Sequence, residues 1–187
     1  MAAPGGTGPI GPYPPGVETD EQKTDYDKVR RRVLWTFPSG LYVIGSRDSD
    51  RRNGMTANWV TQVSFDPKLV AVSVDKHAVT HQLIATSQVF TVCTIDRENR
   101  EFVRKFTKPV DVDASAMTLN GFPFHDGAIT GAPVLDQAAA FVECEVRNPV
   151  DVGDHTLFIG EVVNCGFQNE EDTAVLRMED TRMSYGG

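Results

Sequence analysis

The sequence predicts a mainly β protein, an antiparallel barrel with a few peripheral α-helices. Segments of alternating apolar and polar residues follow one another at close spacing. The few helical segments never alternate with them in the strand–helix–strand rhythm of a parallel, doubly wound sheet. Length sets the scale, because 187 residues of which 40% are hydrophobic suffice for one domain with a sizeable core, plus a tail.

Residues 1–23 carry Pro4, Pro9, Pro12, Pro14 and Pro15 among glycines and then an acidic stretch. Such a composition cannot bury enough apolar surface to order itself, so a disordered N-terminal tail is expected, with the folded domain over 24–187. From Thr24 a helix is expected, with Thr24 or Asp25 as N-cap and Tyr26, Val29, Val33, Leu34 and Phe37 as an apolar stripe packed on the barrel. Pro38-Ser39-Gly40 ends it, and Arg30-Arg31-Arg32 form its solvated face. Strands follow at about 41–46, 55–65 and 69–75, then a helix at 80–87, a strand at 89–95 and a charged helix at 97–107. Beyond a loop-rich stretch come strands near 139–147, 155–166 and 173–177.

Eighteen basic and twenty-six acidic residues give a net charge of −8, which makes nucleic acid and anionic membranes poor partners. Cys93, Cys144 and Cys165 are odd in number and widely spaced, each in an expected strand among apolar neighbours. They read as buried free thiols in a reducing cytoplasm. No apolar run reaches membrane-spanning length and no signal-peptide pattern opens the chain, so a soluble, cytoplasmic protein is expected. No Gly-x-Gly-x-x-Gly follows a strand and no Gly-x-Ser-x-Gly elbow occurs, which argues against a Rossmann domain and against covalent catalysis. His77 and His81 are four apart, but no third ligand of suitable spacing stands near them, so no metal is expected.

The chemistry concentrates in Gly54-Met55-Thr56-Ala57-Asn58-Trp59-Val60-Thr61-Gln62-Val63-Ser64-Phe65-Asp66-Pro67 and the nearby Val72-Ser73-Val74-Asp75-Lys76-His77-Ala78-Val79-Thr80-His81. The first alternates between an apolar face (Met55, Ala57, Trp59, Val63, Phe65) and a polar one (Thr56, Asn58, Gln62, Ser64). A half-buried strand whose polar face meets water is the ordinary account of this pattern, and a flat polar ring laid along the small polar side chains is the alternative. In the second, Lys76 supplies a charge, Thr80 a hydroxyl, and the helix start near Thr80 a set of outward N–H groups, which suits a phosphate. Thr80 could also simply cap that helix, Trp59 could be core, and His155 could be a turn residue.

The run GMTANWVTQVSFDPKLVAVSVDKHAVTH, with Gly131-Ala132-Pro133-Val134-Leu135 and Gly153-Asp154-His155-Thr156-Leu157-Phe158-Ile159-Gly160-Glu161-Val162, resembles the flavin reductase-like family of FMN-binding split barrels. The resemblance spans about residues 27–177, with Lys68 standing where that family often has a second proline. It implies a Greek-key-like split β-barrel, assembled as a homodimer with flavin at the subunit interface. It implies NAD(P)H:flavin oxidoreductase activity on FMN, with FAD as an alternative, and NADH or NADPH as hydride donor. Nicotinamide C4 and flavin N5 would then meet at about 3–3.5 Å. On this resemblance Thr56, Ala57, Asn58 and Trp59 lie along the ring and ribityl chain, with Thr61, Gln62 and Ser64 nearby. Lys76, Thr80 and His81 surround the phosphate end, and His155 positions nicotinamide or steers a proton. Arg97, Arg100 and Phe106 could border the same cleft, although a charged helix is ordinarily just exposed. The reduced flavin would supply a separate monooxygenase. Flavoredoxin-like electron transfer and a flavin-binding module without turnover are the alternatives.

Overall fold

A computed structural model describes residues 12–184, so residues 1–11 of the expected tail lie outside the described part. The first helix, α1, runs Asp20–Leu34 and so begins four residues earlier than the sequence suggests. Thr19 is the reason: its hydroxyl accepts from Gln22 N at 3.2 Å while the Gln22 amide oxygen accepts from Thr19 N at 3.0 Å, a reciprocal capping box. The expected packing of the α1 stripe on the barrel is corrected too. No residue of α1 is buried, and Val29, Val33, Leu34, Trp35 and Phe37 are 44–67% exposed. The helix is instead braced by the segment before it, where Tyr13 stands edge-on to Tyr26 and donates to Asp27, and the Arg30 guanidinium lies over both rings.

The strands are β1 Tyr42–Asp48, β2 Arg51–Ala57, β3 Val60–Ser64, β4 Leu69–Asp75, β5 Val89–Ile95, β6 Val112–Asp113, β7 Thr118–Leu119, β8 Phe122–Asp126, β9 Pro133–Leu135, β10 Ala138–Val152 and β11 His155–Phe167. A second helix, α2, spans Val79–Ser87. The described residues are therefore mainly β with two α-helices, as expected. Seven strands form an antiparallel sheet in the order β2-β1-β5-β10-β11-β4-β3. Its two edge strands are consecutive in the chain and separated by Asn58 and Trp59 alone, so the sheet curls until its edges approach each other there. The single strand expected over 55–65 is thus two strands, broken where the chain steps from one edge to the other.

Three further expectations change. The charged helix at 97–107 is a pair of 3₁₀ turns, Arg97–Asn99 and Phe102–Phe106, the second of which turns Phe102, Val103 and Phe106 into the core. The strand at 173–177 is absent as such. Val175 bridges Asp96 and Arg177 bridges Gly40, with Leu176 N donating to Ile95 O at 2.7 Å and Leu176 O accepting from Leu41 N at 3.1 Å. The segment is a wedge between the splayed ends of β1 and β5, and buried Leu176 fixes it there. The loop-rich stretch contains β6–β9, a separate four-stranded sheet whose strands of two to five residues are too short to show a period in sequence.

Two cores result. Inside the curl lie Ile44, Val72, Val74, Phe90, Val92 and Phe158. Between the other face and the small sheet lie Val43, Cys93, Phe106, Leu119 and Val134. Val43 and Ile44 are neighbours in different cores, so β1 is buried on both faces. Gly45 permits the second packing, since a Cβ there would fall 2.1 Å from Pro133 O. Glu143 is fully buried beneath the 127–132 turn and accepts from the Ile129 and Thr130 N–H groups, the Thr130 hydroxyl and the Asn164 amide. Burial works to raise its pKa, but these donors outweigh it and hold the carboxyl below its usual value. Cys93 and Cys144 are buried as expected, their thiols pushed up to about 11 and about 12 by burial, whereas Cys165 is exposed because it falls on the outward face of β11.

Candidate active site

Where β4 ends, the chain turns at once into α2. Asp75 shapes this turn: its carboxylate accepts from His77 N at 2.8 Å and lies 3.0 Å from His77 Nδ1, while its carbonyl accepts from Ala78 N. The His77 N–H bond is the main cause of a carboxyl pKa below the ordinary value. Ala78 is the N-cap of α2 and offers no side-chain acceptor to the first-turn N–H groups. Thr80 is therefore not the cap. It sits in the first turn, fully buried, and its hydroxyl accepts from Asn53 Nδ2 at 2.8 Å.

The loop is tied to the β10–β11 hairpin. The Lys76 ammonium pairs with Asp151 and donates to Gly153 O, and Lys76 N donates to Asp154 O at 3.1 Å. His81 Nε2 is 2.8 Å from the Thr156 hydroxyl, and burial, then the charge of Lys76, lowers its pKa. His155 stands opposite Asp75 in the β11–β4 ladder. It is buried, its Nδ1 lies 2.6 Å from Asp154 Oδ1, and its ring centroid is 5.0 Å from that of Trp59.

Next to Trp59 opens a cleft of about 1150 Å³. Asn58, Trp59 and Thr61 line it together with Ser73 of the adjacent strand, and Ser39, Tyr42 and residues of the 175–184 segment complete its wall, with Asn58 Nδ2 donating to Ser39 Oγ at 3.5 Å. Gly40 makes that wall by close approach, since a Cβ there would lie 2.3 Å from the Tyr42 hydroxyl oxygen. The sequence-derived site residues thus fall into groups. Asn58, Trp59 and Thr61 line the cleft, while Lys76, Thr80, His81 and His155 cluster at the β4–α2 turn, joined to the cleft by the Trp59–His155 contact. Thr56 and Ala57 face away: the Thr56 hydroxyl donates to Val103 O and Ala57 is in the inner core. Gln62 and Ser64 lie farther along β3, where the Gln62 amide donates to Ser64 O at 3.0 Å.

Sequence reasoning missed Asn53, Tyr42 and the C-terminal wall. Asn53 had a signal, since it precedes the Gly-Met-Thr run and alternates onto the Met55 face. The wall had none, because its residues follow no period. The lining suits a flavin: a roomy cleft that includes the Trp59 indole, the Tyr42 phenol, the Asn58 amide, and the Ser39, Thr61 and Ser73 hydroxyls.

Comparison with known proteins agrees with this chemistry. The family model of the flavin reductase like domain matches residues 34–186. An NADH-dependent FAD reductase of Streptomyces globisporus is 36% identical over 143 residues, covering 74% of this chain and 76% of that protein. The solved structure of Streptomyces globisporus C-1027 NADH:FAD oxidoreductase SgcE6, in complex with NAD and FAD fragments, is 31% identical, with a TM-score of 0.71 over 82% of this chain and 88% of that one. The styrene monooxygenase flavin reductase of Pseudomonas putida S12 is 33% identical, with a TM-score of 0.63 over 75% of this chain and 87% of its own. Three further curated relatives are longer proteins, of which the chain spans 24–58%.

Proposed function

We infer, because the chain belongs to the flavin reductase-like domain family, that it is an NADH-dependent flavin reductase, transferring hydride from reduced nicotinamide to FMN or FAD. The observation that carries this reading is the mostly apolar cleft beside the Trp59–His155 pair, with the Asn58 amide and the Ser39, Thr61 and Ser73 hydroxyls in its lining. When bound, the flavin supplies the redox chemistry, its N5 accepting hydride from nicotinamide C4, and the protein's task is alignment.

Asn58, Trp59 and Thr61 hold the ring, with Thr56 and Ala57 approaching through backbone and Gln62 and Ser64 lying at the far side. Lys76, Thr80 and His81 take the phosphate end, where local donors and the first turn of α2 must outweigh a chain charge of −8. Lys76 then exchanges part of its pairing with Asp151 and Gly153 for the phosphate. His155 is the catalytic candidate. Asp154 at Nδ1 fixes its ring orientation, and its role is to position nicotinamide or steer a proton beside Trp59.

The reading extends to a homodimer in which the curled sheet completes a split barrel and the flavin lies at the interface. Exposed apolar residues just beyond α1 and just beyond the β3 edge, among them Phe37 at 67% and Phe65 at 83%, support it. A flavin-dependent monooxygenase is the natural consumer of the reduced product, and a cytoplasmic setting suits buried free thiols. No helix among the described residues is long and apolar enough to cross a membrane.

The test is oxidation of NADH and NADPH by purified protein with and without added FMN or FAD. Turnover saturable in flavin is expected. Tight flavin binding without turnover by either nicotinamide would return the protein to the electron-carrier or binding-module alternatives.

A further inference from the structure

A second cleft, of about 480 Å³, adjoins the first. Glu179 and Thr181 line both, so the 179–181 segment is their common wall. The charges around this second cleft are unevenly spent. Asp180 is engaged by Arg97 Nε at 3.0 Å and by Arg177 N at 3.0 Å, and Glu179 is paired with Arg177 at 3.2 Å. Among the described residues Arg100, Arg104 and Arg182 have no carboxylate within ion-pair distance, and Glu101 is the one lining carboxylate left without a cation. Three available guanidiniums against one carboxylate leave a local excess of positive charge in a chain whose net charge is −8.

We propose that the Arg100/Arg104/Arg182 cleft binds the diphosphate of the nicotinamide dinucleotide whose reduced ring lies in the neighbouring cleft. This rests on the flavin reductase reading for the identity of the ring, while the anion chemistry rests on the second cleft alone. Guanidinium forks match phosphate oxygens two at a time, which a solvated lysine does not. The shared wall supplies the route, since a nicotinamide dinucleotide bound ring-first in the larger cleft reaches the arginines by passing Glu179 and Thr181. The arginines stand on a firm base: Arg104 is exposed on a turn whose Phe102, Val103 and Phe106 are buried, so its head can be removed without touching the core. NADH carries the required group, whereas the diphosphate of FAD begins at the flavin phosphate and therefore belongs to the Lys76–Thr80–His81 end.

The test compares the full-length protein with its R100Q/R104Q/R182Q variant. ADP carries the diphosphate without either redox ring. Calorimetric titration should show it binding the parent protein better than adenosine does, and about tenfold more weakly to the variant, with R100K/R104K/R182K retaining part of the affinity. KM ratios identify the ligand: a rise of about tenfold in the KM of NADH relative to that of reduced nicotinamide mononucleotide is expected, and a rise confined to FAD relative to FMN overturns the assignment to the nicotinamide dinucleotide. Equal ADP affinity in parent and variant, or no preference for ADP over adenosine, overturns the proposal. Absence of NADH oxidation in the parent protein would instead overturn the reductase reading, and the ADP titration would still decide the anion site.

Discussion

The two ends of the candidate site are built in opposite ways. At the β4–α2 turn nearly every polar group is engaged: Asp75 with His77, Lys76 with Asp151 and Gly153, Thr80 with Asn53, His81 with Thr156 and His155 with Asp154. Across the cleft, the wall from Leu34 to Tyr42 and from Val175 to Ser184 is held mainly by the Leu176 wedge and leaves Trp35 and Phe37 about half exposed or more. The first end is preorganised, so changes there should alter binding and turnover sharply. The second is a more loosely framed opening, so changes there should be felt as shifts in selectivity and assembly.

Substitutions at the tied end should produce the largest effects. His155→Ala is expected to lower NADH turnover about 100-fold while changing flavin affinity far less, read from kcat against the flavin dissociation constant. A matched loss of both would make His155 a structural residue. Next in size, Thr80→Ala with Lys76→Ala should weaken FMN binding about tenfold and riboflavin binding little, since riboflavin lacks the phosphate. Equal weakening of the two ligands would remove the phosphate assignment. Asn53→Ala should move FMN affinity in the same direction by a smaller factor, because it acts through the Thr80 hydroxyl.

Acidification gives a further contrast. His81 is lowered from the ordinary 6.5, so below that value the unfolded chain binds more protons than the folded one. Its contribution to stability is present above pH 6.5 and is lost as pH falls through the folded value. Asp75, lowered from 3.8, follows the same sign at more acidic pH. Urea midpoints at pH 7.5 and 5.0 should therefore converge in His81→Gln relative to the parent. The smallest effect on the isolated fold belongs to the open wall. Phe37→Asp should change chain stability by about 0.5 kcal/mol or less, yet shift the mass measured by light scattering toward monomer.

The same contrast governs how much could be read from the sequence. The β4–α2 turn was legible because local rules make it: Val72 and Val74 alternate with Ser73 and Asp75, and helix chemistry begins within a few residues. β5 and β4 matched their expected bounds for the same reason. The division of 55–65 into β2 and β3 was not legible, because Asn58 and Trp59 continue the alternation while the chain changes edges, and only the curl of the sheet shows it. The capping box at Thr19 and Gln22 was present in the sequence, but it was read as tail because of the prolines before it. The wall was illegible for a different reason. Leu176 earns its place by wedging between strands more than 75 residues away, and no periodicity in its neighbours signals this. His155 was located by motif, whereas its contact with Trp59 follows from β4 lying between β3 and β11.

The chain's two tryptophans, Trp35 and Trp59, both line the cleft, one on each side of the contrast. The most direct measurement is therefore an FMN titration followed by tryptophan emission in the parent protein, Trp35→Phe and Trp59→Phe. Saturable quenching that persists in Trp35→Phe and largely disappears with the Trp59 signal is the predicted result, because the ring is held against Trp59 beside His155. Quenching that is absent, or that survives unchanged without Trp59, would contradict the placement of flavin in this cleft.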